Sequence, residues 1–569
     1  MKKLFLAVFF LSIITSVSLK AQQRPNFVNF INEQHDWVDS VYEKLNNRER
    51  IAQLFMVRAH TNLGQAYIDS VAKVIKKEDL GGVVLFQGGP VRHANMINQY
   101  QKLAKVPLLL ALDGEWGLGM RLPDSTISFP YQMALGAIQN EGLIYKMGQE
   151  VAKDFKRLGL NINFAPVVDV NNNPRNPVIN YRSFGENKEN VARKGFAYMK
   201  GMMDEGIMIT LKHFPGHGDT DVDSHYDLPK LNFSRERLDS LEMYPFKKLI
   251  EAGASGVMVA HMNIPSLDNT LNLPSSLSRT VVTDILKNEM GFKGLVFTDA
   301  MDMKGVVKYF KDGEADVRAI IAGNDVLELS ENSKQAIKMV RKAIRKGRID
   351  KDEIEARVKK VLAAKYWLGL DKQKPVELSN LYSDLNRNSA KQLNQELADN
   401  AITLLKGKEE LRRIDFTRKT AIISIGLNNI SEFQHILGER FDNAFNFIVN
   451  SSASELEIDK VKKQLNEYEQ VIVALHDGRT RPGSVLNYNN AVNLFVSELA
   501  SKEASLILFG NPYALASIPG IEHSNCLLVA YQNDEIMQRA GAKVILKEIE
   551  AKGKLPITVN NSFRYGDGL

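Results

Sequence analysis

Cysteine is nearly absent from this chain: Cys526 stands alone among 569 residues. One thiol excludes an internal disulfide framework, an iron–sulfur cluster held only by thiolates, and a Cys-rich zinc module. A charge excess of one sign is also lacking. The 73 basic and 67 acidic residues leave a formal charge of +6, spread thinly, with no run of Lys or Arg interleaved with aromatics. A nucleic-acid partner is therefore not expected. There is no fixed short repeat and no low-complexity tract. What remains is globular in composition, with 44% hydrophobic and 25% charged residues, in a chain too long for one ordinary domain.

The N-terminus has its own character. Met1-Lys2-Lys3 precedes an apolar stretch at residues 4–17, followed by the small residues Ser16, Ser18 and Ala21. A positive start, an apolar centre and a small-residue exit predict a secretory signal peptide over residues 1–21. The alternative is an uncleaved anchor, but the apolar stretch falls short of the roughly twenty residues a bilayer requires. No cysteine lies near the cut, which excludes a lipid-anchored lipoprotein. Loss of Lys2, Lys3 and Lys20 lowers the formal charge from +6 to +3. An exported protein is expected, periplasmic or secreted, with no stable membrane insertion after cleavage, since no later segment is apolar enough to span.

From about residue 50 to 370, short apolar runs alternate with longer amphipathic stretches. The runs fall at residues 51–57, 82–86, 107–112, 162–170, 207–212, 256–260, 294–298 and 325–329. They lack polar alternation, as strands buried on both faces of a parallel sheet do. Eight such β-then-α units predict a (β/α)8 barrel of the TIM type, with an open doubly wound sheet as the alternative. Polar residues follow the runs: Asp113-Gly114-Glu115, Asp169, Lys212-His213, His261 and Asp299. In a barrel these ends converge on one face, where the chemistry is done. Further apolar runs at 420–425, 445–449, 471–475, 505–508 and 527–531 predict a second α/β sandwich domain with a mostly parallel sheet. The expected divisions are a barrel at 28–372, a linker at 373–392 and a C-terminal domain at 393–569.

Three of the ten histidines sit in one stretch, Lys212-His213-Phe214-Pro215-Gly216-His217-Gly218-Asp219-Thr220-Asp221-Val222-Asp223-Ser224-His225. Pro215, Gly216 and Gly218 forbid a regular helix, so this is a loop leaving a strand. A metal site is one reading. Without a helix, however, the spacing of His213 and His217 does not put both on one face, and Ser224 and Lys230 stand where a calcium loop needs Gly and Glu. A capped, self-bonded loop is a second reading. Acid–base catalysis is the third. Asp223 can bond one ring nitrogen of His225, fixing its tautomer and raising its basicity. Asp299 closes the apolar run 294–298. It serves either as a helix N-cap or as a carboxylate opposite the acid–base group, the arrangement that displaces a glycosyl leaving group with retention.

The string KHFPGHG at residues 212–218 with DSH at 223–225 resembles the signature of bacterial β-N-acetylglucosaminidases of glycoside hydrolase family 3. The likeness extends through PLLLALDGEWGLGMR at 107–121, NFAPVVD at 163–169, Arg182-Ser183-Phe184, Ala260-His261, FTDAMDM at 297–303, NAITLL at 400–405 and the closing Tyr565-Gly566-Asp567-Gly568. It implies Asp299 as the nucleophile, His225 as the general acid/base and Asp223 as its orienting partner. It implies Asp113, Arg121, Arg182, Lys212 and His213 as the groups that hold the sugar. Asp169 is expected to support the loop carrying Arg182, and His261 to stand behind the site or simply to be a satisfied barrel histidine. Neither metal nor organic cofactor is implied, and the partner is a carbohydrate containing N-acetylglucosamine.

Where short relatives carry consecutive glycines, this chain has Trp116-Gly117. The indole either stacks on a sugar or fills the barrel mouth. The second-domain loop at 476–481 is expected to be solvated. The expected activity is that of a retaining exo-β-N-acetylglucosaminidase. A phosphorylase or a β-glucosidase of the same family, and a catalytically silent glycan-binding protein, are the alternatives.

Overall fold

A computed structural model describes residues 25–223, 226–311, 313–502 and 504–569. The expected signal peptide at 1–21 and the candidate acid/base His225 therefore lie outside the described residues.

The apolar runs become short parallel strands: β1 (Phe55–Ala59), β2 (Gly82–Leu85), β3 (Leu109–Leu112), β4 (Ile162–Asn163), β5 (Met208–Ile209), β6 (Leu211–Phe214), β7 (Gly256–Val259), β8 (Leu295–Thr298) and β9 (Leu327–Glu328). One sheet runs β5-β4-β3-β2-β1-β9 and a second runs β6-β7-β8. Every ladder among them is parallel. Only Thr210 separates β5 from β6, and a bridge from Phe297 to Val326 ties β8 to the residue before β9. The nine strands thus occupy eight positions around a curled sheet, and the α/β barrel class follows. β2, β3, β7 and β8 are buried at every residue, which explains the absence of polar alternation.

Two local expectations shift. The run at 51–57 is not one strand, because helix Asn47–Ala52 occupies its first residues and β1 begins at Phe55. Asn46 accepts from the Glu49 amide and Glu49 reaches back to the Asn46 amide, a capping box that outweighs the β character of Ile51. The segment 373–392 is also not all linker, since helix Asn388–Ala401 begins within it. This helix packs on barrel helices Gln132–Ala137 and Glu141–Arg157 as well as on Glu535–Ile545 of the C-terminal half.

That half holds β10 (Thr403–Lys406), β11 (Thr420–Ile425), β12 (Ala444–Val449), β13 (Gln470–His476), β14 (Ala504–Phe509) and β15 (Cys526–Val529). Their order is β10-β15-β14-β13-β11-β12. Only the β10–β15 pairing is antiparallel. Cys526 is buried within β15.

The two halves meet at the barrel mouth. Glu186 takes the Thr558 amide and hydroxyl, each at 2.7 Å, and its own amide donates to Pro556 O. Gly185, at φ +121°, lies so close that an added Cβ would sit 2.1 Å from Pro556 O. Only a residue without Cβ allows this approach. Replacement of Gly185 by Ala is expected to lower stability by more than about 1 kcal/mol, read by urea or thermal unfolding. An unchanged midpoint would mean that the docked edge relaxes freely.

Candidate active site

The all-apolar β3 delivers the chain to Asp113-Gly114-Glu115. Asn163 at the end of β4 clamps this turn, accepting the Gly114 amide at 2.9 Å and donating to Gly114 O at 3.2 Å. A Cβ on Gly114 would meet the Phe155 ring at 2.7 Å. Held this way, Asp113 and Glu115 both reach a single lysine. Lys212, within β6 rather than after it, places Nζ 2.8 Å from Asp113 Oδ1 and 2.9 Å from Glu115 Oε1. Arg121 donates to Asp113 Oδ2 at 2.5 Å. Arg182 embraces Glu115 with Nε at 2.9 Å and Nη2 at 2.6 Å, a bidentate pairing only guanidinium provides.

These five groups form one network of three cations and two carboxylates. Lys212 and Glu115 are almost wholly enclosed, while Asp113, Arg121 and Arg182 keep one edge open. Burial alone would raise both carboxyls. Lys212 and Arg121 outweigh it at Asp113 and hold that group well below the usual range. Arg182 and Lys212 do the same at Glu115, bringing it to about 2. Burial would also lower the Lys212 ammonium, and Asp113 with Glu115 reverse that.

Asp169, fully buried beyond β4, organises the histidine stretch instead of the Arg182 loop alone. Its carboxylate accepts His213 Nδ1–H at 2.8 Å and the amides of His213 at 3.1 Å and His217 at 2.7 Å. That fixes the His213 tautomer and leaves Nε2 for another partner. The link to Arg182 is less direct: Ser183 Oγ donates to Asp169 O. His217 Nδ1 shares a hydrogen bond with Thr220 Oγ1 at 2.9 Å, and burial lowers this imidazole to about 4, leaving it neutral.

Asp299 follows β8 and is half-buried, its amide donating to Val259 O at 3.0 Å. Its Oδ1 accepts the Ala300 amide at 2.8 Å. The helix expected after it begins only at Lys304, so the N-cap reading does not hold. His217 and His261 both feel the Asp299 charge. His261 has both nitrogens engaged, with Ser276 Oγ at 2.6 Å and Ala300 O at 3.1 Å. These two bonds tie the segment at Ser276 to the loop that carries Asp299. The structure therefore gathers Asp113, Arg121, Arg182, Lys212 and His213 at the strand ends that Asp299 shares. Asp223 lies in the loop beyond His217, half-buried, and the amides of Tyr226 and Asp227 donate to its backbone oxygen.

Three residues escape the sequence-based assignment. Glu115 and His217 were visible within their motifs without a role. Glu328 was hidden inside the apolar run 325–329, which holds a second acidic residue, Asp325, paired with Lys287 and Lys360. The loop at 476–481 is exposed from residue 478 onward, as expected, and also touches the barrel rim. Arg479 pairs with Asp477 and donates to Val485 O, folding the loop so that Thr480 O accepts from Tyr131 Oη at 3.1 Å. Ser484 donates to Pro174 O and accepts from Asn180 Nδ2. Trp116 packs edge-on against Tyr131, ring centroids 4.6 Å apart, with Tyr181 at 6.4 Å. Among the described residues no three carboxylate, imidazole or thiol groups converge as a metal site.

The family model described as Glycosyl hydrolase family 3 N terminal domain matches residues 47–364, more than half the chain. The chain belongs to glycosyl hydrolase family 3. It is a glycoside hydrolase. A β-hexosaminidase A from Pseudoalteromonas piscicida is 28% identical over 86% of this chain and 91% of its own length. A β-N-acetylglucosaminidase/β-glucosidase from Cellulomonas fimi is 27% identical over 69% of this chain and 70% of its own. The solved family 3 β-N-acetylglucosaminidase from Paenibacillus sp. str. FPU-7 is 30% identical, covers 91% of this chain and 99% of that one, and superposes with a TM-score of 0.77.

Linkage gives the network a signature. Glu115 falls from 4.5 to about 2 on folding, so its stabilisation is complete above about pH 4.5 and is lost as pH drops toward 2. In Lys212→Met, Asp113 and Glu115 lose their shared cation and one of them is expected to keep a proton. Stability then drops by about 3–5 kcal/mol and falls further as pH rises between about 5 and 8, where the wild-type pair contributes no slope. Denaturant titrations across that range check both the drop and its sign.

Proposed function

We propose that this family member is a retaining exo-β-N-acetylglucosaminidase that removes terminal non-reducing N-acetylglucosamine from cell-wall fragments or chitooligosaccharides. The Asp299 carboxylate attacks the anomeric carbon as the glycosidic oxygen takes a proton from His225. Asp223 orients the imidazole. Water, deprotonated by the same imidazole, then releases the sugar from Asp299 with its original anomeric configuration. Asp113, Arg121, Arg182, Lys212 and His213 hold the ring hydroxyls: carboxylates accept their protons, while the cations donate. The N-terminal pattern supports export, with the periplasm as the site of action.

The observation that carries the reading is the convergence of Asp299 with the buried Asp113–Lys212–Glu115–Arg182 network at one end of the barrel. The Paenibacillus β-N-acetylglucosaminidase, matched over 99% of its length, supports the choice of sugar. A reactive carboxylate beside polar groups sized for hydroxyls suits glycosyl transfer better than passive binding.

Hydrolysis of aryl β-N-acetylglucosaminide is expected to exceed that of the aryl β-glucoside, with the β-anomer of N-acetylglucosamine appearing first by NMR. Asp299→Ala is expected to lose at least about a thousandfold in kcat while still binding N-acetylglucosamine. Sugar 1-phosphate as the main product in phosphate buffer would replace hydrolysis by phosphorolysis. Full turnover by Asp299→Ala would end the mechanism.

A further inference from the structure

Glu328 closes β9 at the barrel mouth, and its backbone spans the neighbourhood of Asp299. Its amide donates to Thr298 Oγ1 at 3.0 Å, and its carbonyl accepts the Met301 amide at 2.9 Å. The residue is 3% exposed, and its Oε1 is buried with no hydrogen-bond partner among the described residues. The charges that act on it are Asp113, Asp299 and Lys212. Lys212, the one cation of the three, is already shared between Asp113 and Glu115. On the adjacent β1 side, Arg58 is paired with Asp302 at 2.9 Å.

A buried carboxyl without a partner costs stability, and any aliphatic residue of the same run would avoid that cost. Such a group persists where something absent from the free protein satisfies it. A sugar whose hydroxyls meet Asp113 and Lys212, and whose anomeric carbon meets Asp299, crosses the space these groups enclose. We propose that the Glu328 carboxyl hydrogen-bonds a ring substituent of that sugar, making it a substrate-touching residue that sets specificity. Burial and the charges of Asp113 and Asp299 push the Glu328 carboxyl well above its usual range, against the opposing pull of Lys212, and so favour its protonated form. It therefore offers both a donor and an acceptor without adding a negative charge beside Asp299. This inference rests on the glycosidase reading above and adds a contact to it.

The test uses the full chain as wild type, Glu328→Leu and Glu328→Gln. Aryl β-N-acetylglucosaminide and its 3-, 4- and 6-deoxy analogues serve as substrates. Glu328→Leu is expected to fold with a Tm at or above the wild type, because it removes an unsatisfied buried group, yet to lose about ten- to a hundredfold in kcat/KM. Glu328→Gln, which keeps a donor and an acceptor, is expected to recover most of that loss. One deoxy analogue should cost the wild type about tenfold and cost Glu328→Leu nothing further, the non-additivity of a shared contact. Equal deoxy penalties in wild type and Glu328→Leu, or a lower Tm with the loss unrescued by Gln, would overturn the proposal and assign Glu328 to structure alone. Should the wild type fail to turn over any of these glycosides, the substrate reading falls. Calorimetric titration of N-acetylglucosamine and its deoxy forms into the same three proteins then decides Glu328, and equal affinities or no binding would overturn its role too.

Discussion

The barrel mouth depends on one ammonium shared by two carboxylates. Lys212 is nearly inaccessible, yet it stands between Asp113 and Glu115, each completed by a different arginine. No member of this set is tolerable in the interior by itself, since an uncompensated buried ion costs several kcal/mol. Together they lock three parts of the chain: the turn after β3, strand β6 and the segment that carries Arg182. The surface that we propose binds sugar hydroxyls is therefore a by-product of a structural necessity. The partly open edges of Asp113, Arg121 and Arg182 are what solvent, and by our proposal a sugar, can touch.

Around Asp299 the logic is reversed. The two nearby histidines sit as buried, hydrogen-bonded rings whose protonation burial opposes, and Glu328 resists ionisation for the same reason. Charge is concentrated on one side of the mouth and suppressed on the other. Neighbours of this kind add little charge beside the carboxylate that we propose forms and breaks a bond to carbon.

Much of this was legible from residue order. Continuous apolar runs without alternation gave away strands buried on both faces, and seven of the eight barrel runs became strands at or near the expected place. The exception at residues 51–57 shows a cap outweighing β propensity. Asp113, Arg121, Arg182, Lys212 and His213 could be named because their motifs are compact and distinctive. Glu115 and Glu328 could not be assigned roles, because what sets them apart is the company they keep in space, not their spacing along the chain. Asp169 was given only the Arg182 loop to support, because its contacts to His213 and His217 join positions more than forty residues apart. The loop after β13 is exposed at residues 478–481 as expected, but its docking could not be foreseen for a related reason. Its polar composition is that of any surface turn, and only tertiary docking shows that Tyr131, Pro174 and Asn180 receive it.

That docked loop has a consequence for how such a protein can diversify. The acidic and basic groups at the strand ends are bound into a network that resists change. The rim beside Trp116, Tyr131 and Tyr181, by contrast, is partly built by a segment borne on a different sheet. Drift in the length or sequence of that segment reshapes the approach to the cleft while leaving the charged network intact. New appetites can be acquired from the outside, without reopening the chemistry beneath.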